Sequence, residues 1–106
     1  MNGRFDSKRE YAHWINLKEL EKAGKITELR RQVKFTLLEA QDLPTPVRDK
    51  KGRLRTKERA VTYVADFVYL KDGKVIVEDS KGFITDVYSI KRKLMLQRYG
   101  YQIMEV

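Results

Sequence analysis

The feature that most constrains this chain is a predicted β-hairpin that carries one aspartate on each strand. Asp72-Gly73 is typical of a two-residue type I′ turn between two runs rich in valine and aromatic residues. Such a turn pairs Lys71 with Lys74, and counting back along both strands places Asp66 opposite Asp79 on the same sheet face. Because like charges directly opposed in a sheet are destabilising, the pairing indicates that the two carboxylates have a chemical role.

Two carboxylates on one sheet face suit a hard divalent cation such as Mg²⁺ or Mn²⁺. Lys81 lies one pleat beyond Asp79 on that face, where its ammonium group can orient water or stabilise charge developing on a phosphate. Glu78 points to the opposite face. These residues together indicate a metal-dependent phosphodiesterase. Two alternatives stay open: a bulge would shift the register and separate the aspartates, or the charges are ordinary solvated ones.

The strand that contains Asp66 is predicted to be central in its sheet. Residues 63–69 are apolar on both faces, which is typical of a strand covered on both sides. Regular alternation would place Val64 and Val68 on the same face as Asp66.

The chain is strongly basic, with a formal net charge of +8 from 23 Lys and Arg against 15 Asp and Glu. Lys and Arg contacts to phosphates supply most sequence-independent affinity for nucleic acid, so we expect a polyanionic partner. The excess is concentrated in a predicted extended or mobile loop, about residues 44–60, which is either a nucleic-acid contact or simply a solvated loop. Its candidate contact residues are Arg48, Lys50, Lys51, Arg53, Arg55 and Lys57.

Several classes of protein and site are excluded by composition. No segment approaches the roughly 20 apolar residues of a membrane span, and no apolar signal segment opens the chain, so we expect a cytoplasmic protein without a membrane partner. The length predicts a single domain, residues 1–106. Zero cysteines exclude disulfides and thiolate metal sites. His13, the one histidine, has no relay partners and is expected on a helix surface.

The order of predicted elements favours an α/β fold. Ser7 and Glu10 form a capping-box pattern that begins a helix over residues 7–23, and Gly24 ends it. The remaining predicted elements are short strands at 26–29 and 33–38, hairpin strands at about 61–70 and 74–81, a helix begun by Thr85-Asp86 with apolar positions Val87, Ile90, Leu94 and Met95 and ended by Gly100, and a last strand within 101–106. Helices packed on a mixed sheet are the expected layers.

This order of elements, together with Asp66 and Asp79-Ser80-Lys81, resembles the PD-(D/E)XK nucleases, which share an αβββαβ restriction-endonuclease-like core: a mixed sheet flanked by two helices. The resemblance implies that Asp66 and Asp79 hold Mg²⁺, with Mn²⁺ as the alternative, and that Lys81 helps to activate water. It also implies that Glu10, on the first helix, completes the metal site. The proline that names the motif is missing, since Val64-Ala65 precede Asp66.

The chain is more closely similar to a small phage-encoded branch of this superfamily, and more distantly to archaeal-type Holliday-junction resolvases and the endonuclease subunits of some bacterial heteromeric transposases. The segments that carry the similarity are residues 5–10, 29–35, 63–67, 77–82 and 90–94. It implies a homodimeric endodeoxyribonuclease that acts on branched DNA and needs no nucleotide cofactor. Further candidate DNA contacts are Gln32, Lys91 and Arg92.

Each of these assignments has a simpler alternative. Helix capping alone explains Glu10, and a polar strand end explains Gln32. Lys91 and Arg92 fit a solvated helix face. For the whole chain, the alternatives to a nuclease are a non-catalytic nucleic-acid-binding module, which uses the basic loop, and an accessory subunit of a DNA-processing complex.

Overall fold

The computed structural model describes residues 7–81 and 83–106, and within them the chain is an α/β fold of two helices and six strands. Phe5, Asp6 and Gly82, which the sequence similarity includes, lie outside the described residues. The elements are α1 Lys8–Lys22, β1 Thr27–Leu38, β2 Gln41–Arg48, β3 Leu54–Glu58, β4 Val61–Lys71, β5 Lys74–Asp79, α2 Asp86–Tyr99 and β6 Ile103–Glu105. Neither helix in this part of the chain is long and apolar enough to cross a membrane.

The main sheet has four strands in the order β1-β4-β5-β6 and is mixed. β4 pairs antiparallel with β1 and β5, whereas β6 runs parallel to β5. The predicted hairpin register is confirmed from Lys71 opposite Lys74 to Phe67 opposite Glu78. Asp72 and Gly73 have φ values of 52° and 75°, as a type I′ turn requires at both central positions.

The two helices cover opposite faces of this sheet. The core on the α2 side comprises Leu37, Tyr63, Ala65, Val68, Val77, Tyr88, Met95 and Ile103. The core on the α1 side comprises Trp14, Leu17, Ile26, Phe67 and Tyr69. Phe67 and Val68 are consecutive residues of β4, and both are buried, one in each core. β4 is therefore a central strand covered on both sides, as its sequence predicts.

β1 and β4 both change faces at one point along their length. In β4, Ala65 packs in the α2-side core, but Phe67, two residues later, packs in the α1-side core. In β1, Phe35 packs against the α2-side core and Leu29 against the α1-side core, although six residues of regular alternation would keep them together. The change in β1 occurs at Gln32, whose φ is 55°.

The predicted alternation along the Asp66 strand is therefore wrong. Val64 is 45% exposed, whereas Val68 is buried in the α2-side core. The pairing register itself is unchanged across the irregularity, because Val33 opposes Ala65 on one side of it and Arg31 opposes Phe67 on the other. The two strands are irregular at the same place and stay paired.

β1 is one strand of twelve residues, Thr27–Leu38, and not the two short segments that the sequence predicts. Glu28 and Gln32 adopt left-handed backbone conformations within it, with φ of 53° and 55°. These irregular residues interrupt the alternation of apolar side chains, although the hydrogen bonding between β1 and β4 continues past them. The sequence therefore predicts two strands where the structure has one.

The basic segment is a β-hairpin and not the extended or mobile loop that its composition predicts. β2 and β3 form a separate two-stranded antiparallel sheet, and no residue of it belongs to either core. Pro44 and Pro46 are tolerated in β2 because a two-stranded ribbon has edges on both sides, where a missing N–H is harmless. The turn is fixed by Asp49, whose carboxylate accepts hydrogen bonds from the backbone N–H groups of Lys51 and Arg53.

The helix ends agree with the sequence, but one helix face does not. Ser7 and Thr85 cap α1 and α2, and Gly100 ends α2 with a φ of 74°. Val87 and Ile90, predicted to be buried, are 63% and 58% exposed. Leu94 and Met95, the other two predicted positions, do pack in the α2-side core. Tyr88 also faces this core, and its polar hydroxyl group makes it a poor sequence marker of a buried face.

Candidate active site

The four predicted catalytic side chains lie at one pocket. This pocket has a volume of about 330 Å³ and is lined by Ser7, Arg9, Glu10, Asp66, Asp79, Ser80 and Lys81. The first turn of α1 supplies one wall of it, and the ends of β4 and β5 supply the rest. Residues separated by more than fifty positions in the sequence thus share one concave surface.

Asp66 and Asp79 are in direct contact at the centre of the pocket. Their carboxyl groups are close enough to influence each other, and Asp66 Oδ2 accepts a hydrogen bond of 2.9 Å from the backbone N–H of Ser80. Asp79 is buried, with 3% of its surface exposed. Burial, followed by the neighbouring Asp66 carboxyl, raises the pKa of Asp79 to about 6. A cation at this position would allow both groups to be ionised.

Asp79 is held by two further side chains. The Tyr63 hydroxyl donates a hydrogen bond of 2.6 Å to Asp79 Oδ2, and Lys81 Nζ lies 3.3 Å from the same oxygen. The Lys81 ammonium group also lies 4.4 Å from the centroid of the Tyr88 ring. The ring and the carboxylate together fix the ammonium group beside the acidic pair, where it partly opposes the rise in the pKa of Asp79.

Glu10 serves as a helix-cap residue and as a site residue through different atoms. Its backbone N–H donates to Ser7 Oγ at 3.0 Å, which is one half of the predicted capping box. Its side chain is buried, and Oε1 lies 3.5 Å from Gln32 Nε2. Gln32 Nε2 also donates to Asp66 Oδ1 at 3.2 Å. The Gln32 amide therefore contacts both the helix carboxylate and the strand carboxylate.

The donor atoms of this pocket fit a hard divalent cation in their chemistry. Asp66 and Asp79 would hold it, with Glu10 beside them, since carboxylate oxygens are the preferred ligands of Mg²⁺ and Mn²⁺. In the part of the chain that the structure describes, no three Asp, Glu or His side chains are grouped closely enough to hold a metal ion on their own. The Gln32 amide lies within hydrogen-bonding distance of two of these carboxylates.

Residues 1–105 match a family described as proteins of unknown function, DUF1064. The chain belongs to DUF1064. No curated protein and no solved structure matches it.

Sequence reasoning missed three contributors to the pocket of this DUF1064 chain. Tyr63 reaches Asp79 only because the strands change faces near Asp66, and no sequence pattern signals that change. The backbone N–H of Ser80 depends on chain geometry and not on residue type. Arg9 lines the pocket, and its guanidinium donates to the Val106 backbone carbonyl, which ties the first turn of α1 to the end of the described chain.

On the opposite face of β5, Glu78 forms a separate buried cluster. His13 Nε2 and the Tyr69 hydroxyl lie 2.6 Å from its two carboxylate oxygens. His13, predicted on the helix surface, is in fact half-buried because it packs between this carboxylate and the Phe67 ring. We call Glu78, His13 and Tyr69 the Glu78 cluster.

The other predicted DNA contacts lie outside the pocket. Arg48, Lys50 and Lys51 are exposed on or beside the β2–β3 hairpin. Also on the hairpin are three basic residues engaged in ion pairs: Arg53 with Asp49 at 2.9 Å, Arg55 with Glu58 at 2.6 Å and Lys57 with Asp42 at 3.1 Å. On α2, Lys91 is half-buried, and Arg92 pairs with Glu105 at 2.8 Å.

Proposed function

We propose that this DUF1064 chain is a Mg²⁺-dependent endodeoxyribonuclease that hydrolyses phosphodiester bonds in DNA. The observation that carries the proposal is the contact between Asp66 and Asp79, in one pocket with Glu10 and Lys81. A neighbouring pair of carboxyl groups has little structural value of its own, because each ionised group destabilises the other. A cation-dependent reaction gives the pair a use.

The roles of the side chains follow from their contacts. Asp66 and Asp79 would hold the cation, whose chemistry when bound is to polarise the phosphate and lower the pKa of a coordinated water. Tyr63 fixes the orientation of Asp79 through its 2.6 Å hydrogen bond. Lys81, held 3.3 Å from Asp79, is placed to orient water or to stabilise negative charge on the phosphate. Glu10 contributes a further carboxylate from α1.

The proposed substrate is branched DNA, of the kind cut by a phage-type Holliday-junction resolvase in the cytoplasm of a bacterial host. The net charge of +8 supports a polyanionic substrate, and the exposed Arg48, Lys50 and Lys51 of the hairpin can contact phosphates away from the reacting bond. Cutting two strands of a junction requires two reacting sites, so we propose a homodimer with one pocket in each copy.

The test is cleavage of a labelled four-way junction and a matched linear duplex with Mg²⁺, Mn²⁺ or EDTA. We expect metal-dependent cutting by the wild type, paired symmetric cuts on the junction, and loss of cutting in Asp79→Ala and Lys81→Ala. Asp86→Ala and Lys93→Ala are matched controls on the exposed surface of α2 and should cut normally.

A non-catalytic DNA-binding module, or an accessory subunit of a DNA-processing complex, is the second candidate. The observation that favours it is the exposed hairpin, which belongs to neither core and carries basic residues at its turn and along β3. If the chain is such a module or subunit, neither the wild type nor the variants cleave DNA, and Asp79→Ala and Lys81→Ala bind DNA as tightly as the wild type does. That result would overturn the nuclease proposal.

A further inference from the structure

Gln32 has a backbone conformation that glutamine rarely adopts. Its φ of 55° lies in the left-handed region, where a side chain with a Cβ is disfavoured and where glycine, asparagine and aspartate are the usual residues. Gln32 is inside β1, with paired residues on both sides of it, so no turn requires the conformation. Strained backbone of this kind persists where the surrounding structure enforces it, and it is concentrated at functional sites.

The effect of this conformation is to direct the Gln32 amide at two carboxylates of the pocket. Nε2 lies 3.2 Å from Asp66 Oδ1 and 3.5 Å from Glu10 Oε1. Regular alternation is lost in β1 at Gln32 and in β4 between Ala65 and Phe67. Three elements, α1, β1 and β4, thus bring one amide and two acids together.

We propose that Gln32 is a ligand of the divalent cation through its side-chain oxygen, a role that rests on the proposed function. The amide carries an oxygen and a nitrogen of nearly equal size, and rotation about its last torsion exchanges their positions. With no cation bound, the NH₂ group donates to the carboxylates and weakens their repulsion. Once a cation neutralises the carboxylates, the donor is no longer needed there, and the oxygen turns towards the charge.

This role accounts for the composition of the pocket. Asp66 and Asp79 are in contact, but the described residues contain no group of three acidic or histidine side chains close enough to hold a metal ion. A neutral amide supplies one more oxygen without adding a negative charge to an already repulsive pair. Gln32 is predicted from the sequence as a DNA contact, but in this role it binds the cation and not a phosphate of the DNA backbone.

Mn²⁺ binding to the full chain without DNA, measured by titration calorimetry, tests the assignment. Gln32→Met keeps the size of the side chain and removes the oxygen, and we expect it to weaken Mn²⁺ binding about tenfold or more. Gln32→Glu restores an oxygen ligand at the same position and should bind Mn²⁺ at least as tightly as the wild type. Gln97→Met, on the exposed surface of α2, makes the same exchange away from the pocket and should not change binding.

The contrary results separate this inference from the proposed function. If the wild type binds Mn²⁺ and Gln32→Met binds it equally or more tightly, Gln32 is not a ligand and only contacts the carboxylates in the metal-free protein. The nuclease proposal survives that result. If the wild type binds no Mn²⁺, both proposals fail. If Gln32→Met does not fold, Gln32→Glu alone tests the assignment. An about tenfold weaker affinity of Gln32→Glu for Mn²⁺ would contradict an oxygen ligand at this position.

Discussion

Glu78 and Asp79 are adjacent acids on β5, both buried, and they differ in what surrounds them. Glu78 has one partner for each carboxylate oxygen, His13 and the Tyr69 hydroxyl, both at 2.6 Å. Asp79 has a tyrosine and a lysine, but also a second acid in contact, and it lines a pocket of about 330 Å³. One acid is satisfied by its neighbours, and the other is left with an excess of negative charge that faces an opening.

Burial of an acid does not by itself identify a functional site. Alternation along β5 sends the Glu78 side chain to the α1 face, where it joins helix to sheet. The Asp79 side chain goes to the α2 face, beside Tyr63. What distinguishes the candidate site is that Asp79 lies beside a second acid, Asp66, in an open pocket, whereas each carboxylate oxygen of Glu78 has its own partner.

The largest expected difference between the two acids is in DNA cleavage. Asp79→Asn removes a charge that would hold the cation, and we expect it to lower the cleavage rate at least about 10³-fold. Glu78→Gln keeps the shape and most hydrogen-bonding capacity of the structural acid and should cut within about threefold of the wild type. Equal losses in the two variants, measured by initial rates on a four-way junction, would remove the distinction.

The second expected difference is in the free energy of unfolding, which should fall more on substitution of Glu78 than on substitution of Asp79. Glu78→Leu leaves the Tyr69 hydroxyl and the His13 ring without their partner in a buried setting, which should reduce the free energy of unfolding by about 3 kcal/mol. Asp79→Leu removes one of two repelling carboxyl groups and should cost less than half as much. Urea denaturation in EDTA measures both variants, and a larger loss for Asp79→Leu would reverse the comparison.

A pH dependence follows from the raised pKa of Asp79. Its folded-state pKa of about 6 lies above the usual 3.8, so the folded protein binds the proton more tightly than the unfolded chain. This contribution to stability is present at low pH and is lost as pH rises through 6. Relative to Asp79→Asn, the wild type should therefore lose about 1 kcal/mol between pH 5 and pH 7 in EDTA. A stability difference that is constant with pH, in urea denaturation, would contradict the electrostatic account.

The smallest expected differences come from the two tyrosines, which make matched hydrogen bonds of 2.6 Å to the two acids. Tyr69→Phe and Tyr63→Phe should each reduce stability by about 1 kcal/mol. Only Tyr63→Phe should also slow cleavage, by severalfold, because it frees the orientation of Asp79. If Tyr69→Phe slowed cleavage as much, the Glu78 cluster would belong to the site.

Local sequence signals predicted the hairpin that carries both acids. The Asp72-Gly73 turn fixes the β4–β5 register, and serine, threonine and glycine signals fix the ends of the helices. These succeed because turns and caps depend on a few neighbouring residues. The central position of β4 followed from its apolar composition on both faces.

Features that depend on distant parts of the chain were not predictable in this way. The left-handed Gln32 directs its amide to Asp66 on β4 and Glu10 on α1, and glutamine has no local preference for that conformation. The partners of Glu78 lie 65 residues before it and 9 residues before it along the chain. The basic hairpin was predicted as a loop because its prolines and charges obscure strand pairing in a ribbon with two free edges.

The most direct test of the central claim is to locate Mn²⁺ on the protein by paramagnetic broadening of its backbone amide resonances in NMR. The account predicts that the amides of Glu10, Asp66 and Ser80 broaden first, at low Mn²⁺, while those at the turn of the β2–β3 hairpin stay sharp. The same titration of Asp79→Asn should lose that pattern. Broadening centred on the hairpin, or none at all in the wild type, would contradict a divalent cation between Asp66 and Asp79.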